Sequence, residues 1–382
     1  MSYEVSVVKC ETYDEAEVRK AVEEGLAPLG GLGSVVKKGD RVLIKLNLLA
    51  AKPPEAAVTT HPALAKAVVN MIKELGAIPM VGDSPGGRST MTSYKALLKA
   101  TGIQQMADET GCAIVRFDGE VADTNAESAR TYKKLKIAKA VTEAEVIISL
   151  PKMKTHTLTY FTGAVKMLYG YLPGMTKAEY HLHTARDVGM FAELLLDLYE
   201  ARRPDLSIMD AIVGMEGAGP QHGSPRRIGL VMASKSCTAL DYVAATIAGF
   251  DPMSVPTIKK AYERNIGPAD LKDIQVYGEK VEPLIIKDFK KPHTMQLNRI
   301  PPFLLNSLRR FVSDRPCIDP AKCRMCGACA RECPPKAIRF VKGKIPSIDH
   351  NKCIRCYCCQ ELCPEGAVYV SRPFARRLIK NK

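Results

Sequence analysis

Arg41-Val-Leu-Ile-Lys-Leu46, an apolar pattern at helical spacing from His61 to Leu75, and Ala77-Ile-Pro-Met-Val-Gly82 form the succession that sets the fold. Two short apolar runs joined by a helix pair in parallel, since a parallel connection needs a crossover of roughly a dozen residues. The alternation continues in both directions. Asp14 to Leu26, Ser93 to Glu109, Val188 to Arg202 and Thr238 to Gly249 read as helices. Ala113 to Phe117, Glu145 to Leu150, Leu206 to Ala211 and Ile228 to Ala233 read as strands. Residues 1–290 are therefore expected to form a large α/β domain with a mostly parallel sheet, covered on both faces. Lys290-Lys291-Pro292 through Pro301-Pro302 interrupts regular structure and marks a linker over 291–315. Within it, Phe303 to Val312 reads as a short amphipathic helix that docks on the large domain, with association with a membrane as the alternative use. A small domain fills 316–382.

The chain has 382 residues, 46% hydrophobic and 25% charged, which excludes wholesale disorder and fibrous repeats. Its formal net charge is +14. The excess is local: Cys317 to Lys382 holds 14 Lys/Arg against 5 Asp/Glu. No recognition motif accompanies it, so nucleic acid is not an expected partner. No apolar run approaches the roughly 18 residues of a membrane span, and Met1-Ser2-Tyr3-Glu4-Val5 does not resemble a secretory signal. A cytoplasmic location is expected.

Nine of the 13 cysteines fall between Cys323 and Cys363. In a reducing compartment, such a block reads as metal binding rather than disulfides. It is a repeat with a period of 30 residues. Cys323-x2-Cys326-x2-Cys329-x3-Cys333-Pro334 returns as Cys353-x2-Cys356-x2-Cys359-x3-Cys363-Pro364. Three cysteines spaced by two residues can wrap one face of an iron–sulfur cube, and the fourth, before Pro, projects toward the neighbouring cube. Two [4Fe-4S] clusters are expected on this reading. One takes Cys323, Cys326, Cys329 and Cys363; the other takes Cys353, Cys356, Cys359 and Cys333. Paired zinc knuckles are the competing reading, but they require no third cysteine and no Cys-Pro. Cys317 and the ninth cysteine of the block, Cys358, read as structural bystanders. Part of the local positive charge would offset the anionic clusters, and the remainder could face an acidic redox partner.

In the large domain, polar residues gather at expected strand ends, where ligands bind open α/β sheets. Lys45 and Asn47 follow the strand from Arg41. His61 opens a helix at Pro62. Asp83 and Ser84 start a Gly-rich turn after Gly82. Lys152, Lys154 and His156 follow the strand ending at Leu150, and Lys166 lies beyond. Four lysines at strand ends suit an anion. Lys45, Lys154 and His156 are the expected catalytic residues, with His156 as proton donor. Asn47, His61, Asp83, Ser84, Lys152 and Lys166 are expected to bind substrate. His181-x-His183 would share a face on a strand and diverge on a helix; Asp210 and Asp241 read as structural. No dinucleotide, P-loop, serine-hydrolase or zincin motif is present.

The stretches Val42-Leu-Ile-Lys-Leu-Asn47, Ala57-Val-Thr-Thr-His-Pro62, Gly82-Asp-Ser-Pro-Gly86, Pro151-Lys-Met-Lys-Thr-His156, Gly163-Ala-Val-Lys166 and Gly217-Ala-Gly-Pro220 resemble the domain of unknown function 362 family. The tail resembles bacterial-type two-[4Fe-4S] ferredoxin domains, an α+β fold, and the two are often fused. Leu46 departs from the Pro usual in the family. The family is distantly similar in fold to the nickel-pincer lactate racemase, which implies a two-lobed α/β architecture with a cleft but not racemase activity. The expected function is an iron–sulfur oxidoreductase whose clusters pass electrons to an anionic substrate or cofactor in the α/β cleft. Two alternatives stand beside it. One is an electron carrier or reductive activator that docks a redox partner protein and does no chemistry of its own; the other is a non-redox sensor or maturation protein.

Overall fold

The computed structural model describes residues 3–87, 89–174, 176–184, 187–294 and 314–371. The expected helix at 303–312 and most of the linker lie outside them.

In the large domain the strands are β1 (Tyr3–Lys9), β2 (Arg41–Lys45), β3 (Ile78–Asp83), β4 (Ala113–Arg116), β5 (Val121–Asn125), β6 (Lys134–Ala138), β7 (Val146–Ser149), β8 (Lys152–His156), β9 (Tyr160–Thr162), β10 (Leu206–Glu216), β11 (Ser224–Ser234) and β12 (Ile274–Gly278). The helices are α1 (Glu15–Leu26), α2 (Pro62–Glu74), α3 (Met91–Ala100), α4 (Ile103–Thr110), α5 (Lys139–Thr142), α6 (Ala164–Met167), α7 (Thr176–His183), α8 (Val188–Ala201), α9 (Cys237–Ile247) and α10 (Pro256–Glu263).

Ten strands form one sheet in the order β12-β1-β11-β10-β7-β2-β3-β4, with β8 on β10 and β9 on β8. Pairing is parallel except at β1–β11, β10–β11 and β8–β9. Both faces are buried, and the strands alternate between them with a period of two. Leu43, Ile147, Met209 and Met232 join one apolar cluster; Ile44, Ile148, Ile208 and Val231 join the other. Helices α1 to α4 cover the second face, and α6, α8, α9 and α10 cover the first. The expected α/β fold is present, and β5 and β6 pair antiparallel in a separate two-stranded sheet.

Three local expectations need correction. The first strand is β1, which precedes Arg41. The helix expected over 93–109 is two helices: Gly102, at φ +73°, breaks the run, and a methyl there would crowd the Pro62 ring at 3.2 Å. The residues expected to follow the strand end at Leu150 themselves form a strand, the fully buried β8 over Lys152–His156. Leu46 donates its N–H to Gly82 O at 3.0 Å, a bond Pro could not make.

The C-terminal domain shows the repeat as a pseudo-twofold. Strands β13 (Arg315–Ile318) and β16 (Val368–Ser371) pair, as do β14 (Ile338–Arg339) and β15 (Ser347–Ile348). Short helices α11 (Ala328–Arg331) and α12 (Cys358–Glu361) occupy equivalent places. The copies clasp each other: Asp319 N–H donates to Ala367 O and Asp349 N–H to Ala337 O, both at 2.8 Å.

Candidate functional site between the sheet and the C-terminal domain

Strands β2 and β3 are adjacent and parallel, and their carboxyl ends lead into Asn47–Leu49 and Ser84–Gly87. Beside them, β8 carries Lys152, Lys154 and His156 at alternate positions, so the three share one face. Helices α6 and α7 add Lys166, Lys177 and His181. Over this end of the sheet lies the C-terminal domain, contributing Glu332, Pro334, Cys358, Glu361 and Leu362. Together these residues enclose a cavity of about 840 Å³, part of it open to solvent.

The expected site residues divide sharply. Asn47, Asp83, Ser84, Lys154, His156 and Lys166 line the cavity; Lys45, Lys152 and His61 do not. Lys45 is fully buried, 2.7 Å from Asp83 Oδ1, and also donates to Leu46 O. Gly170 lies against that pair at the cavity wall, and a methyl there would overlap both the carboxylate and the amine. Lys152 is consumed by Asp210, at 2.9 Å, and Tyr13 Oη, at 2.8 Å. His61 caps α2 through Nδ1, which accepts from Ala63 N–H, and its ring stacks on Tyr13 at 3.5 Å. These three are supports. Asp210 and Asp241 are structural as expected: Asp241 accepts from Ala164 and Val165 N–H at the start of α6.

Lys154 donates to Val58 O at 2.6 Å and has no carboxylate partner among the described residues. Burial, reinforced by Lys166 and Lys152, lowers its pKa to about 7. Lys166 projects over the rings of Tyr169 and Phe191, at 5.2 and 5.9 Å, and its amine makes no hydrogen bond or ion pair among the described residues. Burial holds it below the ordinary lysine value, opposed by Glu361 and Cys358. Lys177 is spent on Ser84 O, Ser84 Oγ and Pro85 O.

His156 Nδ1 accepts from Leu158 N–H at 3.0 Å and Thr159 N–H at 3.3 Å, so the neutral ring carries its proton on Nε2. That nitrogen lies 3.1 Å from Glu361 Oε1, across the boundary between the domains. Burial would raise the Glu361 pKa, but His156, Lys166 and His181 outweigh it and bring it to about 2. His181 and His183 diverge on α7. His181 enters the cavity wall stacked on Phe191, at 4.8 Å, while His183 packs toward Tyr132.

Two smaller cavities lie inside the C-terminal domain. Cys323, Cys326, Cys329 and Cys363 line one of about 340 Å³. Cys333, Cys353, Cys356 and Cys359 line the other, of about 310 Å³. In each, three cysteines come from one copy and the fourth from the other. Cys333 Sγ and Cys363 Sγ each accept a backbone N–H at 3.2 Å, from Ala337 and Ala367, as suits a ligating thiolate. Among the described residues, no three His, Cys, Asp or Glu groups are drawn close enough to grip a single metal ion. Four thiols around a wider space fit a cube of metal and sulfide better than one zinc.

Residues 42–246 match the domain of unknown function (DUF362). The chain belongs to the DUF362 family. Residues 322–367 of this DUF362 protein match a 4Fe-4S dicluster domain, so the chain has the capacity to bind iron–sulfur and transfer electrons. It is 36% identical over 264 residues to a thylakoid-associated protein of Synechocystis sp., covering 69% of this chain and 80% of that one. The lactate racemase apoprotein of Thermoanaerobacterium thermosaccharolyticum overlaps at TM-score 0.40 and 14% identity, covering 62% of this chain and 54% of that one. A Thermotoga maritima protein overlaps at 0.38 and 15%, covering 60% and 57%. The DUF362 chain thus spans little more than half of either structure. Among its described residues, no helix is long and apolar enough to cross a membrane.

The cavity's roof escaped the sequence reading. Cys358, taken there for a bystander, is buried in the cavity wall, and Lys177, Tyr169, Glu361 and Leu362 went unremarked. A signal existed in the repeat. At equivalent positions the first copy has Ala328, Ala330, Arg331 and Glu332 where the second has Cys358, Gln360, Glu361 and Leu362. Each departure marks a residue that faces the large domain.

Proposed function

We propose that this chain is an iron–sulfur redox enzyme that reduces a small anionic substrate held between the sheet and the C-terminal domain. The observation that carries this reading is the shared wall. Lys154, His156 and Lys166 of the large domain face Cys358 and Glu361, which sit beside Cys356 and Cys359 in sequence. Two [4Fe-4S] clusters, on the crossed cysteine sets of the two small cavities, would supply single electrons and no open coordination position. Lys166 binds the anion, since its amine makes no hydrogen bond or ion pair among the described residues and an anion restores the charge balance that burial removes. Lys154 adds a second donor on the same wall. His156 Nε2–H is held by Glu361 and its Nδ1 by two backbone N–H groups, so the ring positions the carboxylate, and Lys154, with a pKa of about 7, is the group on that wall able to move a proton. The apolar surface of Leu49, Met167, Tyr169 and Leu362 narrows the cavity around the substrate. The cytoplasm is the proposed location; the name of the Synechocystis relative makes peripheral attachment to a membrane the alternative, and cell fractionation decides between them.

Anaerobically purified protein should carry about eight iron atoms per chain, and mass spectrometry of the denatured protein should release a bound small anion. Lys166→Ala should lose that anion while keeping its iron. Zinc at about two per chain would remove the cluster reading, and an intact anion in Lys166→Ala would remove the binding role.

A further inference from the structure

We propose that the first-copy face of the C-terminal domain, around Cys326, docks a small acidic one-electron carrier protein. The inference rests on the proposed inward delivery of electrons and identifies where they arrive. The internal repeat supplies a control at every position. Arg355 and Cys356 of the second copy are partly covered, and Cys358 to Gln360 are buried. Their equivalents Met325 and Cys326 are exposed, as are Lys322 and Arg324. The same scaffold thus turns one cysteine loop to the large domain and the other outward.

Charge follows the same division. Residues 322–345 hold seven Lys/Arg and one Glu; the equivalent 352–375 hold three Lys/Arg and two Glu. The same segment of the first copy carries exposed apolar side chains: Met325 at 39%, Phe340 at 37%, Val341 at 44% and Ile345 at 44%. These belong to one surface with the cysteine loop. A methyl on Gly327 would lie 2.7 Å from the Phe340 ring, so that ring rests on the turn after Cys326. Arg331 Nη1 donates to Cys326 O at 2.7 Å, and Pro346 lines the first cysteine cavity. An apolar centre with a charged rim is the anatomy of a transient protein interface, and a rim of one sign steers a partner of the other. The occupant is therefore an acidic protein whose own redox group lies near its surface. In the encounter the carrier is oxidised by one electron and the C-terminal domain reduced by one, with no bond made or broken. An anionic bilayer would answer the charge equally, but it would leave the exposed Cys326 loop without a donor.

The test uses full-length, cluster-loaded protein and an oxidised acidic [2Fe-2S] ferredoxin as probe, with binding followed by calorimetric titration at low and high ionic strength. Lys322→Glu/Lys342→Glu/Lys344→Glu should bind about tenfold or more weakly at low ionic strength, with most of the difference gone at high salt. Lys95→Glu/Lys99→Glu, on α3 of the large domain, should bind as wild type. Reduction by dithionite should be equal in all three, showing that folding and clusters are intact. Unchanged binding in the triple variant overturns the proposal. So does binding to vesicles of anionic phospholipid, lost in the same variant, when the carrier does not bind. The readout needs no substrate: loss of carrier binding alongside an empty-handed search for a bound anion would sink the proposed function and leave this surface standing.

Discussion

At the scale of single residues, the lysines that looked alike in the sequence do three different jobs. Asp210 accepts from Lys152 Nζ, Tyr13 Oη and His61 N–H, with none of its surface exposed. Asp210→Ala strands the Lys152 charge in the core and should cost about 3–5 kcal/mol in chemical denaturation of the large domain. Lys152→Met/Asp210→Leu, which removes both charges, should cost clearly less. Lys154 is the titrating member, with a pKa near 7 when folded against 10.5 ordinarily. Between those values the unfolded chain holds one more proton than the folded one, so this residue's contribution makes stability rise with pH across that window. Anion binding runs the other way: it is supported below about 7 and weakens as the ammonium is lost. Lysine-resolved NMR should show an amine titrating near 7 that moves upward when inorganic phosphate is added. Lys154→Met should remove that signal; a signal that survives belongs to another lysine.

At the scale of elements, α12 and α11 are the same short helix with different surfaces. Gln360 of α12 bonds Thr157 Oγ1 at 3.1 Å and Ala218 O at 3.3 Å, and Leu362 lies against Gly86. Ala330 and Glu332 replace them in the first copy, so the domain tolerates both exchanges within its own fold. Gln360→Ala/Leu362→Glu should therefore keep its iron but release the domain from the sheet. Small-angle scattering should report a larger radius of gyration than wild type, and an unchanged value would show that other contacts, such as Lys52 Nζ to Pro364 O, suffice. The strand β8 teaches a related lesson. Its Lys-x-Lys-x-His pattern reads as polar and as following a strand end, yet all five residues are buried because β10, β9 and the C-terminal domain enclose it.

At the scale of the molecule, the two domains are stabilised by different means. The large domain has two extended apolar clusters, one on each sheet face. Among the described residues, the apolar cluster of the C-terminal domain has six buried members, and Cys329, Cys359 and Cys363 are three of them. Half of that cluster is thiol, so with the proposed cluster ligation metal binding and folding are coupled there. Anaerobic removal of iron by a chelator should abolish the calorimetric transition of the C-terminal domain and leave that of the large domain. A single transition that survives chelation would contradict this.

Composition and spacing alone determined the mostly parallel α/β class, the repeat and the grouping of the cysteines, because periodicity and spacing are local properties of the chain. Only the tertiary structure decided which lysines are free. Lys45 and Lys152 meet their carboxylates through sheet pairing, over 38 and 58 residues of chain, and Lys166 pairs with none among the described residues. It also decided that the cavity has a roof. His156 and Glu361 are 205 residues apart in sequence, and the docking of one folded domain on the other brings them within 3.1 Å.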